Sequence, residues 1–279
     1  MKLIHLLSIL IILVSCSGRK TKSEGKIKKE SEQKVEVSDF QTIIDSAGIM
    51  GSVLIYDLKG DKYYSNSFHL AKRGNLPAST FKITNSIIAL ETGTVENDST
   101  VLKWRGEKRG LKIWEQDLIF RDAFHYSCVP CYQKVARKIG EKKMNNFLNK
   151  LEYGKMKVDS TNVDLFWLEG ESRISQFQQI DFLKRLYQSE LPISERTETI
   201  IKRMIVIEDV DNYKLSGKTG WSIRNGNNNG WFVGYIETRN RTYFFATNVE
   251  PKQQFDMNIF PTIRKDVTFK ALKQMEIIK

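Results

Sequence analysis

Short apolar runs, rich in β-branched and aromatic residues, lie near the two ends of the chain. The first run, at 51–56, is followed by a polar turn and a second run at 62–65, a pattern that predicts a β-hairpin. Three further runs near the C-terminal end, at 213–221, 231–237 and 242–248, predict additional strands. The strands are therefore expected at both ends of one domain.

The middle of the chain has helical spacing instead. Apolar residues recur every three or four positions at 79–91, 130–139, 142–151 and 175–187. Gly93 follows the first of these segments and is a plausible helix C-cap. Terminal strands around a helical centre predict an α+β fold, in which an antiparallel sheet joins N- and C-terminal segments and packs against the central helices.

The N-terminus has the pattern of an export signal. An apolar run at 3–14 follows Lys2 and is too short to span a bilayer, which takes roughly 20 residues. We interpret residues 1–15 as a lipoprotein signal peptide and Cys16 as the lipidated residue that anchors the chain to a membrane. An ordinary signal peptide is the alternative. Residues 16–38 then predict a flexible tether, since they contain few large apolar residues, and 39–279 form the folded domain.

The composition adds few constraints. The 279 residues carry a net charge of +11, but the basic residues are spread along the chain and no nucleic-acid-binding motif is present. We therefore expect no nucleic-acid partner and no metal. Cys128 and Cys131 form a C-x-x-C pair, for which redox catalysis and structural zinc are disfavoured, while a disulfide between them stays open. Only three histidines are present, which disfavours a Ser-His-Asp site.

Three short motifs carry candidate chemistry. Ser79 and Lys82 are spaced i, i+3, so that the amine can reach the hydroxyl on one face of a helix. The second motif is Ser127-Cys128-Val129, and the third is Lys218-Thr219-Gly220 in a predicted strand. A glycine there permits close approach of a substrate. Each motif is common alone, but their order and separation make coincidence improbable.

Together the motifs resemble those of the penicillin-recognising serine enzymes, and in particular the class D β-lactamases. The resemblance covers roughly 51–265 and includes the segments 77–82, 126–130, 166–170, 218–221 and 231–234. It implies the fold of that family and the hydrolysis of β-lactam antibiotics through an acyl-enzyme.

The resemblance also implies roles for single residues. Ser79 is the expected nucleophile, and Lys82, carboxylated by carbon dioxide or bicarbonate, is the expected general base. Trp167 is expected to hold the carbamate, while Ser127 and Lys218 are expected to relay a proton to the lactam nitrogen. The expected substrate-binding residues are Thr219, Gly220, Trp221, Arg264, Val129 and Leu168. Trp221 is expected to form the oxyanion hole together with Ser79. The substrate carboxylate is expected to be held by Thr219 and Arg264, and water entry to be controlled by Val129 and Leu168.

Several alternatives stay open. A penicillin-binding transpeptidase or a penicillin-sensing domain would also be acylated on Ser79, but without turnover. The family usually has Asn where Lys155 follows Tyr153-Gly154, a departure that concerns the local loop geometry. We expect the mature protein in the bacterial periplasm, held at the outer membrane by the lipid on Cys16. The oligomeric state and the range of β-lactams are undetermined.

Overall fold

The fold is built on a mixed β-sheet whose strands come from both ends of the chain. A computed structural model describes residues 33–279. The strands are β1 Gln33–Glu36, β2 Ile49–Asp57, β3 Lys62–Ser65, β4 Val101–Leu102, β5 Leu118–Ile119, β6 Val206–Val210, β7 Tyr213–Arg224, β8 Asn227–Thr238 and β9 Thr242–Pro251. Seven of these form one sheet in the order β1-β3-β2-β9-β8-β7-β6, and β4 pairs with β5 separately.

Nine α-helices accompany the sheet within residues 33–279. They are α1 Ser38–Ser46, α2 Phe68–Lys72, α3 Lys82–Glu91, α4 Phe120–His125, α5 Val129–Ile139, α6 Glu141–Leu151, α7 Gln176–Tyr187, α8 Glu195–Met204 and α9 Phe260–Gln274. Short 3₁₀ helices cover Ala78–Phe81 and Lys112–Trp114. None of the helices in this part of the chain is long and apolar enough to cross a membrane.

The sheet joins the two ends of the domain at its centre, as predicted. β2 pairs antiparallel with β9, with Ile49 opposite Pro251 and Asp57 opposite Tyr243. Both faces of β2 are buried, because Val53 packs on one side of the sheet and Leu54 on the other. A strand covered on both faces needs apolar residues at consecutive positions, which explains the uninterrupted apolar run in the sequence.

Helices cover both faces of the sheet. α1 and α9 pack on one face, where Phe40 and Leu272 are fully buried. The central helices α3, α5, α6, α7 and α8 pack on the other face and contain the larger core. Helix α7 begins with a capping box, in which Ser175 and Gln178 satisfy each other's backbone N–H groups. The predicted α+β fold is confirmed in these features.

Two details differ from the predictions. The predicted tether, 16–38, overlaps regular structure, because Gln33–Glu36 form β1 and Ser38 begins α1. β1 pairs parallel with β3 through its backbone while all four of its side chains are exposed, so the strand needs no apolar residues and left no pattern to detect. This parallel pair also makes the sheet mixed. Cys16 and the expected signal peptide lie outside the described residues.

Candidate active site

The nucleophile motif lies on a tight turn that leads into α3. Ala78, the residue before Ser79, has φ +51°, a left-handed conformation that is uncommon for a residue other than glycine. Its N–H donates to the carbonyl of Trp167 at 2.8 Å, which holds the turn against the loop before α7. Strained backbone of this kind clusters at functional sites. Ser79 is thereby fixed in a buried position, 7% exposed.

Lys82 contacts the hydroxyl of Ser79 directly. Its Nζ lies 2.9 Å from Ser79 Oγ and 5.1 Å from the centroid of the Tyr132 ring. The side chain is fully enclosed, and this burial, followed by the positive charge of Lys218, lowers the pKa of Lys82 well below its usual value. Among residues 33–279, no salt bridge pairs Lys82 with a carboxylate. A neutral amine at this position is able to accept a proton from Ser79.

The second and third motifs meet each other beside this pair. Lys218 on β7 hydrogen-bonds to Ser127 Oγ, and its Nζ lies 5.6 Å from the centroid of the Phe124 ring. Burial, followed by the charge of Arg264, lowers the pKa of Lys218 to about 7. Ser127 itself has φ +51° and links the end of α4 to the start of α5. The predicted pairing of Ser127 with Lys218 is thus present in the structure.

β7 packs directly against the turn that carries the nucleophile. A Cβ added at Gly220 would lie 3.1 Å from the carbonyl oxygen of Pro77 and 3.2 Å from the Cβ of Ala78. These distances are shorter than most Cβ contacts, so a side chain at position 220 would require the strand and the turn to move apart by a few tenths of an ångström. Arg264 on α9 is buried and donates to the carbonyl of Gly220, which places its guanidinium behind this segment.

A groove runs alongside Lys218 and Thr219. Its volume is about 160 Å³, and Phe124, His125 and Lys265 also line it. A larger cavity of about 560 Å³ lies elsewhere, beside the β6–β7 hairpin, away from the three motifs. We associate the smaller groove with the third motif, because Lys218 and Thr219 line it, and cavity size alone does not mark a site.

Trp167 is placed beside the nucleophile turn by aromatic packing. Its ring stacks on Phe81 with centroids 5.3 Å apart, and the residue is fully buried. The indole N–H has no hydrogen-bond partner. A buried donor without a partner costs free energy, so its presence calls for an explanation. Val129 begins α5 and Leu168 follows Trp167; both are half-buried, and their roles in water entry stay predictions.

Two buried amides were missed in the sequence. Asn85 is spaced i, i+3 from Lys82 on α3, and neither its amide oxygen nor its amide nitrogen has a partner. Gln179 on α7 donates to Thr80 Oγ1 at 2.8 Å and so braces the residue after Ser79. The spacing of Asn85 from Lys82 was a usable signal. No sequence pattern indicated Gln179, because this residue is far from Thr80 in the sequence and lies beside it only in the folded structure.

Two open questions about loops are answered by the structure. Cys128 and Cys131 form a disulfide. Lys155, the departure from the usual asparagine, makes a backbone bridge with Arg173, in which each N–H donates to the other carbonyl at 2.8 Å. The bridge uses no side-chain atoms, so lysine is accommodated there. Residues 33–279 contain no cluster of three or more His, Cys, Asp or Glu that could hold a metal ion.

The comparisons with known proteins agree with this geometry. The model of the penicillin binding protein transpeptidase domain matches residues 50–267, so the chain belongs to that family of serine enzymes. Within it, the chain belongs to the class D β-lactamases. It is 39% identical to β-lactamase OXA-48 of Klebsiella pneumoniae over 228 residues, covering 82% of this chain and 84% of the relative.

Solved structures give the same family. A class D β-lactamase from Nostoc superposes with a TM-score of 0.81 at 42% identity, covering 85% of this chain and 98% of that one. A class D β-lactamase from Sebaldella termitidis has a TM-score of 0.84 at 36% identity, with 89% of this chain and 100% of that one covered. The resemblance noted in the sequence and the expected fold are confirmed, and the protein is a serine β-lactamase by family.

Proposed function

We propose that the protein hydrolyses β-lactam antibiotics through an acyl-enzyme on Ser79, with the general base at Lys82. The observation that carries the proposal is the 2.9 Å contact between Ser79 Oγ and Lys82 Nζ in a buried site that lowers the pKa of the lysine. A serine hydroxyl needs such a neighbour, because it is barely ionised at neutral pH. The third motif lies against the same turn through the close approach of Gly220, and the second motif contacts the third through Ser127 and Lys218.

The residues around Lys82 fit a carbamate on its Nζ. A neutral amine reacts with carbon dioxide, and burial supplies the neutral amine. The resulting anion needs hydrogen-bond donors, and the indole N–H of Trp167 and the amide of Asn85 are buried without partners. The carbamate would supply an anionic oxygen as proton acceptor in place of the amine nitrogen. No metal is required by this chemistry.

Acylation then follows from the positions of the chain's own residues. Ser79 Oγ loses its proton to the base at Lys82 and bonds to the lactam carbonyl carbon. As the C–N bond of the lactam breaks, the nitrogen takes the proton of Ser127, and Ser127 regains a proton from Lys218, which contacts it. The proton accepted at Lys82 replaces the one given by Lys218, so that the base is free for the second step. We assign Arg264 and Thr219 to the substrate carboxylate, because a guanidinium binds a carboxylate through two parallel hydrogen bonds.

Deacylation returns the enzyme to its starting state. Water gives a proton to the base at Lys82 as its oxygen bonds to the acyl carbon, the ester bond to Ser79 Oγ breaks, and Ser79 takes that proton from the base. Because this step separates a β-lactamase from a transpeptidase or a penicillin sensor, turnover is the property to measure. We assign the backbone N–H groups of Ser79 and Trp221 to the oxyanion in both steps.

The test mixes the full-length protein with excess chromogenic cephalosporin, with and without added bicarbonate. We expect many turnovers per Ser79, an increase with bicarbonate, and complete loss of turnover in Ser79→Ala. Ser52→Ala is the matched control, since Ser52 is also buried but its hydroxyl donates to Gln176 and not to a residue of the three motifs. A single stoichiometric burst from the parent protein would refute hydrolysis and favour a sensor or transpeptidase.

We also propose that the protein is exported and held at the outer membrane, in the periplasm, by a lipid on Cys16. The support is the apolar run at 3–14, which is separated from this cysteine only by Ser15. Membrane fractionation of cells that express the full chain, compared with Cys16→Ser, tests the anchor. The parent protein should remain with the membrane and the variant should be released; equal release of both proteins would refute lipidation.

A further inference from the structure

The disulfide Cys128–Cys131 lies directly after Ser127, in the first turn of α5. Both cysteines are buried, 0% and 3% exposed. Cys128 is the N-cap of α5, and its sulfur accepts the N–H of Cys131 at 3.3 Å. The bond therefore links the N-cap of α5 to its first turn and restrains the backbone of residues 128–131, which directly follow Ser127. The reaction as described above makes no use of either sulfur.

Ser127 depends on its neighbours because its backbone is in a conformation that serine rarely adopts. At φ +51° it is left-handed, and the N–H groups of Ser127 and Cys128 donate back to Phe124 and Ala123 at 3.0 and 2.9 Å. These bonds fix the chain on the α4 side. On the other side of Ser127, the backbone is restrained by the disulfide and by the first turn of α5.

A buried arginine from a distant loop completes the support. Arg109 has a side chain only 4% exposed, although the segment around it is exposed. Its Nη1 lies 3.5 Å from Cys131 Sγ and 3.9 Å from Cys128 Sγ, and donates to the carbonyl of Trp114 at 2.6 Å. The indole of Trp114 in turn donates to the carbonyl of Tyr126 at 2.9 Å. The loop thus contacts the chain on both sides of Ser127.

We propose that the Cys128–Cys131 disulfide, braced by Arg109, is a positioning element for Ser127 in β-lactam turnover. Reduction, which adds two electrons and two protons from a dithiol reductant, leaves two thiols. Their sulfur atoms need a non-bonded separation more than about 1 Å longer than the bond. In a packed core this displaces the first turn of α5. Ser127 Oγ then moves relative to Lys218 and the lactam nitrogen.

The expected effect is on the chemical step. A displacement of about 1 Å at a catalytic group lowers the rate by up to about 100-fold, so we expect kcat to fall by about 10-fold to 100-fold. KM should change by less than about threefold, because Arg264 and Thr219 are not attached to the disulfide. A role confined to stability would lower the fraction of active protein and leave kcat per active site unchanged.

The experiment compares three forms of the full-length protein: the oxidised parent, the parent refolded with a dithiol, and Cys128→Ser/Cys131→Ala. Serine retains an N-cap acceptor in that variant while the covalent bond is lost. Active sites are counted from acylated Ser79 by mass spectrometry, and kcat is expressed per active site. We expect both disulfide-free forms to be slow and re-oxidation to restore only the parent; an unchanged kcat per active site in both would overturn the proposal.

A second pair of variants tests the brace. Arg109→Gln should lower kcat in the same direction, and Arg105→Gln, an exposed arginine of the same loop, should not. Equal kcat in Arg109→Gln and the parent would remove Arg109 from the positioning role. The inference rests on the proposed hydrolysis, but its test is separable. If the oxidised parent is acylated without turnover, the proposed hydrolysis is refuted. The role of the disulfide can still be tested in that case, by comparing the acylation rate of Ser79 between the oxidised and the disulfide-free forms.

Discussion

The unpartnered indole N–H of Trp167 makes one substitution especially informative. Trp167→Phe removes that N–H while retaining an aromatic ring that can stack on Phe81. If the donor serves a carbamate on Lys82, the substitution weakens the retention of carbon dioxide. If the tryptophan is only core, the substitution changes stability alone.

The structure gives the size of the expected effect. A hydrogen bond from a buried donor to a charged acceptor contributes about 1.5–3 kcal/mol, which corresponds to about 10-fold to 150-fold in an equilibrium constant. The bicarbonate concentration for half-maximal activity should therefore rise by that factor. The stability of the bicarbonate-free protein should fall less than for an ordinary core substitution, because the variant no longer buries an unsatisfied donor.

The assay is turnover of a chromogenic cephalosporin over a range of bicarbonate concentrations. Carbon-13 NMR with labelled bicarbonate counts the carbamate independently of activity. Trp231→Phe is the matched control: Trp231 is equally buried, but its N–H already donates to the carbonyl of Leu76 at 2.8 Å. This control should lose stability and retain the bicarbonate dependence of the parent.

One result would refute the reasoning. If Trp167→Phe had the same half-saturating bicarbonate concentration and the same carbamate signal as the parent, the orphan N–H of Trp167 would have no part in holding the carbamate. Reduced activity that bicarbonate does not restore would point instead to the packing of Trp167 on Phe81 and to the bond between its carbonyl and Ala78.

Three further predictions concern the motif on β7 and its surroundings. Because folding lowers the pKa of Lys218 to about 7, the unfolded chain holds the proton between pH 7 and 9 while the folded chain releases it. The free energy of unfolding should thus rise over this range by roughly 1–3 kcal/mol more in the parent than in Lys218→Met, as measured by urea denaturation. Gly220→Ala should lower kcat/KM by at least about tenfold by separating the strand from the nucleophile turn; Gly110→Ala, where an added Cβ meets nothing nearer than 3.7 Å, should not. Arg264→Gln should raise KM by about 10-fold or more with a smaller change in kcat. Lys270→Gln, the same loss of charge at an exposed position of α9, should leave KM within about twofold in steady-state kinetics.

Most of the sheet and the central helices could be predicted, because their signals are periodic. The runs at 51–56 and 242–248 lie within strands that pair at the centre of the sheet, and the segment at 175–187 coincides with α7 apart from its N-cap. β1 could not be predicted, since its exposed side chains carry no pattern and only backbone hydrogen bonds place it beside β3.

The site was predictable where residue type carries the chemistry, and not where conformation does. Ser79, Lys82, Ser127 and Lys218 form the contacts expected from their motifs. The left-handed conformation of Ala78 could not be predicted, because the residue at this position is alanine, whereas a glycine would have indicated a positive φ. The disulfide was undecided for a different reason: a C-x-x-C spacing is shared by redox, zinc and structural pairs, and only the tertiary environment separates them.

The central pairing of β2 with β9 has a consequence for how the protein folds. The partners lie almost a full domain length apart in sequence, so closing this pair carries a large loop-closure entropy before any contact compensates for it. The middle of the sheet cannot form until nearly the whole chain has been synthesised. Because β9 lies between β2 and β8, a chain truncated before residue 242 should lack the complete seven-stranded sheet, and Lys218 on β7 should not be held beside Ser79.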